Sequence, residues 1–292
     1  MILAAMDIGS NASRIIISES VSNKGGAVEL VKLNFLRIPM RLGTSVFEYG
    51  KISNENINRL TECFQLFRAM MNLYQVDQYR ACATSAFRDA ENSKEVVSLL
   101  FQLTGITLEV IDGDEEAAII YENHIEKLID EKKNYLYIDV GGGSTEIALI
   151  QNGNFIFRKS FDIGTIRLLN KTISRRQWEK FKKEILTLTQ KIKVIEGIGT
   201  GGSINKIGTI QKSKGVGPYE LGNLKLAIKE LKSLSIEERM HKFEMKRDKA
   251  DLIVPGLKIY ASVMEWAGIE KIYVPKVGLV DGILKQLVVK YM

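Results

Sequence analysis

The stretch Tyr137-Ile138-Asp139-Val140-Gly141-Gly142-Gly143-Ser144-Thr145-Glu146-Ile147 decides the fold. An apolar run ends in a carboxylate, three glycines and two hydroxyl residues follow, and a second carboxylate opens another apolar run. That pattern predicts a strand, a tight turn and a strand. Glycines have no Cβ, so backbone N–H groups can crowd against a ligand, and successive amides in such a turn form an anion-binding nest. Asp139 and Glu146 face the same loop, where hard oxygen donors suit a divalent cation or an oriented water. Taken by itself, the stretch also admits the plainer reading of an ordinary glycine hairpin.

The same pattern occurs a second time. Ile2-Leu3-Ala4-Ala5-Met6 runs into Asp7-Ile8-Gly9-Ser10-Asn11-Ala12-Ser13-Arg14, followed by apolar Ile15-Ile16-Ile17. Two similar loops predict two similar domains whose turns face one another across a cleft. A third glycine turn is expected over Gly197-Ile198-Gly199-Thr200-Gly201-Gly202-Ser203, between apolar Val194-Ile195 and a helical segment. Glycine amides at a helix start suit phosphate.

At 292 residues, 45% hydrophobic and 26% charged, the chain has room for two domains with cores of ordinary globular composition. No apolar stretch approaches the ~20 residues that span a bilayer, and no basic region precedes the first apolar run, so no membrane span or secretion signal is expected. Cys63 and Cys82 have no close spacing to His124 or His241, which argues against zinc and against a disulfide framework. Both read as core thiols in a reducing cytoplasm. Net charge is +6, unevenly spread: residues 1–130 carry 12 Lys+Arg against 18 Asp+Glu, and residues 131–292 carry 29 against 17. A basic C-terminal half suits a polyanionic partner, although solvated helix faces explain it as well. No helix-turn-helix, zinc finger or aromatic stacking pattern favours specific nucleic acid.

Along the chain, Val28 to Met40 reads as returning strands closed by Arg41-Leu42-Gly43. Ser53 caps a helix with Ile57, Leu60, Cys63, Phe64, Phe67, Met70, Met71 and Tyr74 at core spacing. The strand Tyr79–Ala83 leads into Thr84-Ser85-Ala86-Phe87-Arg88, a further helix start. There Arg88 either clamps phosphate oxygens or pairs on the surface with Asp89 or Glu91. A helix from Ser93 to Leu103 and a strand from Ile106 to Ile111 precede Asp112-Gly113-Asp114-Glu115-Glu116-Ala117-Ala118. Acids in a first turn complement the helix dipole, and one of them can also deprotonate a water beside a bound phosphate.

The polar segment from Lys127 to Asn134 marks a domain boundary, with domains 1–128 and 129–292 and a last helix able to pack back on the first. Beyond it, Asn152-Gly153 predicts a hairpin and Ile163–Leu168 another glycine turn. Capping boxes at Ser174 and Ser235 start helices. Gly215 to Gly222 reads as loop, the helical pattern breaks near Pro255, Lys271–Val274 is the last strand, and Gly278 opens the final helix.

Together these motifs resemble the exopolyphosphatase and guanosine pentaphosphate phosphohydrolase (Ppx/GppA) family, over essentially the whole chain. Asp7–Arg14 and Asp139–Glu146 indicate only the wider actin-like ATPase superfamily. Thr84-Ser85-Ala86-Phe87-Arg88 with Glu115-Glu116-Ala117 is more specific, and Gly164–Leu168, Gly199–Ser203, Ala250–Gly256 and Gly278–Leu284 agree. The resemblance implies an α/β fold of two ribonuclease-H-like domains around a cleft, in the short form without a C-terminal HD-type domain. It implies a Mg²⁺-dependent phosphohydrolase acting on inorganic polyphosphate or on the 5′-triphosphate of guanosine pentaphosphate. Glu116 matches the general base, with Glu115 the fallback, and Arg88 a phosphate contact. Asp139 and Glu146, with Asp7, match acids that bind metal and position water. Gly9, Ser10, Asn11 and Arg14, Gly141, Gly142, Gly143 and Ser144, and Gly201, Gly202 and Ser203 match the phosphate-holding loops. Lys249 stands where many members have arginine, and Asp112 and Ala118 replace a common serine and arginine. Expected partners are the phosphorylated substrate and a second copy of the chain in a homodimer, with no membrane.

In-line phosphoryl transfer to water needs positioning and charge neutralisation rather than a covalent nucleophile, and the chain offers no convincing nucleophile. An ATP-using kinase or ATPase of the superfamily and a non-enzymatic alarmone or polyphosphate sensor are the competing readings.

Overall fold

A computed structural model describes residues 1–22, 28–121, 130–211, 215–275 and 277–292. By internal contacts the chain divides into two units, Met1–Asn123 with Gly278–Met292, and His124–Val277. The boundary expected at residues 128/129 lies outside the described residues.

Unit 1 starts with the predicted hairpin. β1 (Ile2–Ile8) pairs antiparallel with β2 (Ala12–Ser22), and β2 with β3 (Val28–Pro39). β4 (Gln78–Ala83) joins β1 in parallel and β5 (Leu108–Val110) joins β4, giving the order β3-β2-β1-β4-β5. β1 is buried on both faces, which is why Ile2 to Met6 reads as a continuous apolar run and not as an alternation. One face takes α2 (Asn54–Leu73), capped by Ser53 accepting from the Asn56 amide, and the predicted stripe of Leu60, Cys63, Phe64 and Phe67 enters the core. α4 (Ser93–Thr104) lies beside α2, and α3 (Ser85–Asp89) and α5 (Gly113–Tyr121) follow β4 and β5. The final helix α13 (Leu279–Tyr291) packs on β1, β2, β4 and α5.

Two expectations in this unit need correction. Arg41-Leu42-Gly43 opens a helix, α1 (Leu42–Tyr49), instead of merely closing a sheet. Arg41 takes a left-handed φ of 57° before it and Gly50 a left-handed cap after it, so the helix is set by its two ends. The strand expected over Ile106–Ile111 is paired only at Leu108–Val110.

Unit 2 repeats the plan. β6 (Asn134–Val140), β7 (Thr145–Gln151) and β8 (Asn154–Phe161) form the antiparallel half, and β9 (Glu196–Thr200) joins β6 in parallel. β11 (Lys271–Tyr273) and a short edge strand, β10 (Tyr219–Glu220), complete the order β8-β7-β6-β9-β11-β10. The first five positions match unit 1 strand for strand, as a ribonuclease-H-like duplication requires. The helices here are α6 (Thr165–Leu169), α7 (Arg175–Thr189), α8 (Ile207–Ile210), α9 (Leu221–Ser233), α10 (Ile236–Phe243), α11 (Arg247–Ala250) and α12 (Ile253–Ala267). Both predicted capping boxes form, Ser174 with Gln177 and Ser235 with Glu238.

Two more expectations change, and a third is placed more closely. Gly197 and Gly199 lie inside β9, so the third turn begins only at Gly201; a Cβ on Gly199 would stand 2.7 Å from Ile272 Cδ1. These glycines serve close packing rather than turning. The break expected near Pro255 falls at Asp251–Leu252, between α11 and α12, and Pro255 is the third residue of α12, where an amide has no intrahelical partner to lose. The loop expected over Gly215–Gly222 already contains β10 and the start of α9.

Cys63 and Cys82 are free and buried, and burial pushes each thiol up to about 12. Neither thiol is therefore expected to react with a disulfide reagent at neutral pH in the native chain, and both should react after denaturation. A fast-titrating thiol in the native protein would contradict this packing. Among the described residues no helix is long and apolar enough to cross a membrane.

Candidate active site

In each unit the hairpin loop is stitched down in the same way. In unit 1 the Gly9 amide donates to Ala12 O at 3.1 Å, and in unit 2 the Gly141 amide donates to Ser144 O at 2.9 Å. The carbonyls of both loops are then taken by the helix that follows the third strand. Gly43 N of α1 donates to Ser10 O at 2.9 Å, while Thr165 and Ile166 N of α6 donate to Gly141 and Gly142 O at 3.0 and 2.8 Å. Arg167 adds an Nε bond to Gly143 O at 2.7 Å. The amides of Gly142 and Gly143 donate to no backbone carbonyl among the described residues. Gly164 makes the close approach possible, since a Cβ there would collide with the Gly142 and Gly143 backbone.

In unit 1, Asp7 at the end of β1 is buried and pairs with Arg14, its cross-strand neighbour on β2. Arg88 projects from α3 to Glu116 of α5, Nη1 to Oε2 at 2.8 Å, and the same Nη1 donates to Ile111 O at 3.1 Å. Glu116 is 8% exposed. Its neighbour Glu115 turns instead to Arg80 on β4, at 2.6 Å. The two adjacent acids thus point to different arginines. Of the two readings the sequence left open for Arg88, the structure places its guanidinium inward, on Glu116 and Ile111 O.

In unit 2, Asp139 and Glu146 stand directly opposite one another across the hairpin, both buried. Ser160 on β8 donates to Glu146 Oε1 at 2.8 Å. Parallel pairing of Asp139 with Thr200 brings Gly201 to the same end of the sheet. Gly201 has φ 112°, and a Cβ there would lie 2.9 Å from Asp139 Oδ1. Gly202 is open around its Cα, whereas Ser203 is buried, its side chain against Gly256 of α12.

Tyr260 of α12 was not legible as a site residue. Its hydroxyl accepts from Val140 N at 3.1 Å and donates to Thr200 O, tying the ends of β6 and β9 together. Burial first, and then the nearby Asp139, pushes its pKa well above the usual tyrosine range, so it remains a donor. Nothing in the helical spacing of α12 marks Tyr260 apart from a core aromatic.

Among the described residues no three His, Cys, Asp or Glu side chains form an all-protein cage. Two facing carboxylates suit Mg²⁺, which keeps several waters and takes its other ligands from phosphate oxygens.

A strand–glycine turn–strand hairpin, written once in each unit on sheets of matching strand order, places the chain in the actin-like fold class. The chain belongs to the Ppx/GppA phosphatase family, whose pattern it matches over residues 20–291. A curated relative, the bifunctional 3-dehydroquinate synthase/phosphatase of Fusobacterium nucleatum, is 29% identical over 185 residues, 62% of this chain. The match spans only 28% of that relative's length. Among solved structures, the Aquifex aeolicus Ppx/GppA family member superposes with a TM-score of 0.77 at 23% identity, over 99% of this chain and 98% of that one. An exopolyphosphatase from Cytophaga hutchinsonii gives 0.86 at 20% identity, over 100% and 99%. At these identities the structural likeness establishes the fold, and the fold expected from the sequence is borne out.

Proposed function

We propose that the chain is a phosphohydrolase that releases the terminal phosphate of inorganic polyphosphate, or of the 5′-triphosphate of guanosine pentaphosphate, by Mg²⁺-assisted attack of water. The observation that carries this reading is the separation of two adjacent acids, Glu115 engaged by Arg80 and Glu116 held nearly buried by Arg88. A carboxylate fixed by a phosphate-binding type of side chain is suited to take a proton from water beside a bound phosphate. The same separation favours Glu116 over Glu115 as the base.

In the proposed reaction, water oxygen bonds to the terminal phosphorus and its proton passes to Glu116. The bridging P–O bond breaks, and the shortened chain leaves with that electron pair. Arg88 faces the equatorial phosphate oxygens. Amides of Gly9, Ser10 and Asn11, Gly141, Gly142, Gly143 and Ser144, and Gly201, Gly202 and Ser203 hold the phosphates, with Arg14 at the first loop. Asp139 and Glu146 would hold Mg²⁺, which supplies charge neutralisation at the phosphates and orders a water. Asp7 is kept as a further acid for this role, which requires it to trade Arg14 for the ion. The basic half of the chain supports a polyanionic substrate. A cytoplasmic setting and a homodimer belong to the same proposal, the dimer being checked by sedimentation.

Phosphate release from short polyphosphate, long polyphosphate and guanosine pentaphosphate, side by side with and without Mg²⁺, tests the reading. Release from at least one of them that depends on Mg²⁺ is expected, and none from any would reject it. Asp139→Asn should raise the half-saturating Mg²⁺ concentration roughly tenfold or more. An unchanged Mg²⁺ titration would remove Asp139 from the metal role.

A further inference from the structure

Arg80 contacts more of unit 1 than its place in a short strand requires. From β4 its guanidinium reaches Glu115 of α5 at 2.6 Å, Glu109 of β5 at 2.8 Å and the Gln286 side-chain oxygen of α13 at 2.6 Å. Its side chain is only 19% exposed. Burial alone would make the guanidinium less basic, but the bonds to Glu109 and Glu115 outweigh this and keep it protonated. The start of α5 is further fixed by the Glu115 amide donating to Asp112 Oδ1 at 2.8 Å. On its other side α13 packs so tightly that a Cβ on Gly282 would collide with Ile119 O. A single planar fork therefore ties the sheet, the first turn of α5 and the last helix of the chain.

We propose that Arg80 is a positioning residue for the reaction proposed above: by anchoring Glu115 to β4, β5 and α13, it fixes the start of α5 and so aims Glu116, which Arg88 engages. The inference rests on Glu116 being the base. It has an electrostatic consequence as well as a geometric one. Glu115 and Glu116 are neighbours, with Asp112 and Asp114 in the same turn and Glu109 on β5 sharing Arg80. The balancing cations are Arg80 and Arg88, while α13 presents Gln286 and carries Lys285 beside it. Removing the Arg80 charge leaves Glu115 uncompensated next to Glu116, and a like charge makes a carboxylate harder to ionise.

The experiment measures kcat, KM, the acid limb of the pH–rate profile and the melting temperature on inorganic tripolyphosphate with Mg²⁺, for Arg80→Gln, Arg80→Lys and Glu116→Gln. Arg80→Gln should lose roughly 10²-fold in kcat with KM little changed, the cost of a misplaced reacting group. Its acid limb should move to higher pH. Arg80→Lys keeps the charge but not the fork, so it should lose less kcat and leave the limb in place. If Arg80→Gln fails to fold, Arg80→Lys decides alone: lowered kcat at an unchanged melting temperature supports the proposal, and wild-type kcat overturns it. Wild-type kcat in Arg80→Gln beside an inactive Glu116→Gln overturns the role of Arg80 and leaves the base standing. A kcat loss in Arg80→Gln with an unmoved acid limb and a lowered melting temperature marks a merely structural residue and also overturns it. An active Glu116→Gln overturns both assignments.

Discussion

Glu116→Gln is expected to lose about 10²- to 10⁴-fold in kcat, the usual contribution of a positioned general base. KM should change little, because an amide of the same shape still fills the space beside Arg88 and only transition-state proton transfer is lost. The side chain is 11% exposed and its partner 20%, so the pair is partly desolvated and its loss should also register in stability. The amide oxygen can still accept from Arg88 Nη1, so the folded state should persist with a modestly lowered melting temperature. A folded variant with wild-type kcat would remove Glu116 from the chemistry. Because Glu115 is occupied by Arg80, it is not placed to substitute.

Gly201→Ala carries the second large effect, and it acts through backbone and site together. At φ 112° an alanine is strained wherever it stands, at a cost of order 1–3 kcal/mol. The new Cβ would also sit 2.7 Å from Val140 O, 2.9 Å from Asp139 Oδ1 and 3.2 Å from the Tyr260 hydroxyl. Two of these cannot retreat cheaply: Val140 is in the ladder, and Tyr260 is fully buried. Relief must come from moving Asp139, so kcat should fall roughly 10²-fold along with stability. Both tryptophans, Trp178 and Trp266, lie in unit 2 with ring centroids 5.4 Å apart, so fluorescence melting follows the affected unit. Gly202→Ala is the matched control for stability, since nothing lies within 4 Å of its Cβ position and its φ is not left-handed. Equal melting temperatures for the two variants would contradict the strain at Gly201.

What could be read from sequence was mostly local. The hairpins at Asp7 and Asp139 show themselves as apolar runs around glycine, because side-chain period and turn chemistry are properties of neighbouring residues. The Ser174 and Ser235 boxes were legible for the same reason, their partners being three residues away. The candidate site was legible in its acids and glycines but not in what holds them. Tyr260 meets Val140 across 120 positions, and Arg80 meets Gln286 across 206. No spacing rule links such pairs; only the packed fold does. The errors follow suit. Gly197 and Gly199 read as a turn because a glycine required by close packing against Ile272 looks the same in sequence as one required by a left-handed φ. The break near Pro255 was legible but its place at Asp251–Leu252 was not, because the start of α12 has no side-chain cap to mark it. α1 was missed because its limits are backbone conformations at Arg41 and Gly50 rather than an apolar stripe.

The most direct test of a hydrolase that passes a terminal phosphoryl group to water uses ¹⁸O-labelled water. Wild-type protein, inorganic tripolyphosphate and Mg²⁺ should yield phosphate carrying one ¹⁸O together with unlabelled pyrophosphate. Unlabelled phosphate, a phosphorylated acceptor other than water, or tight binding without turnover would contradict it.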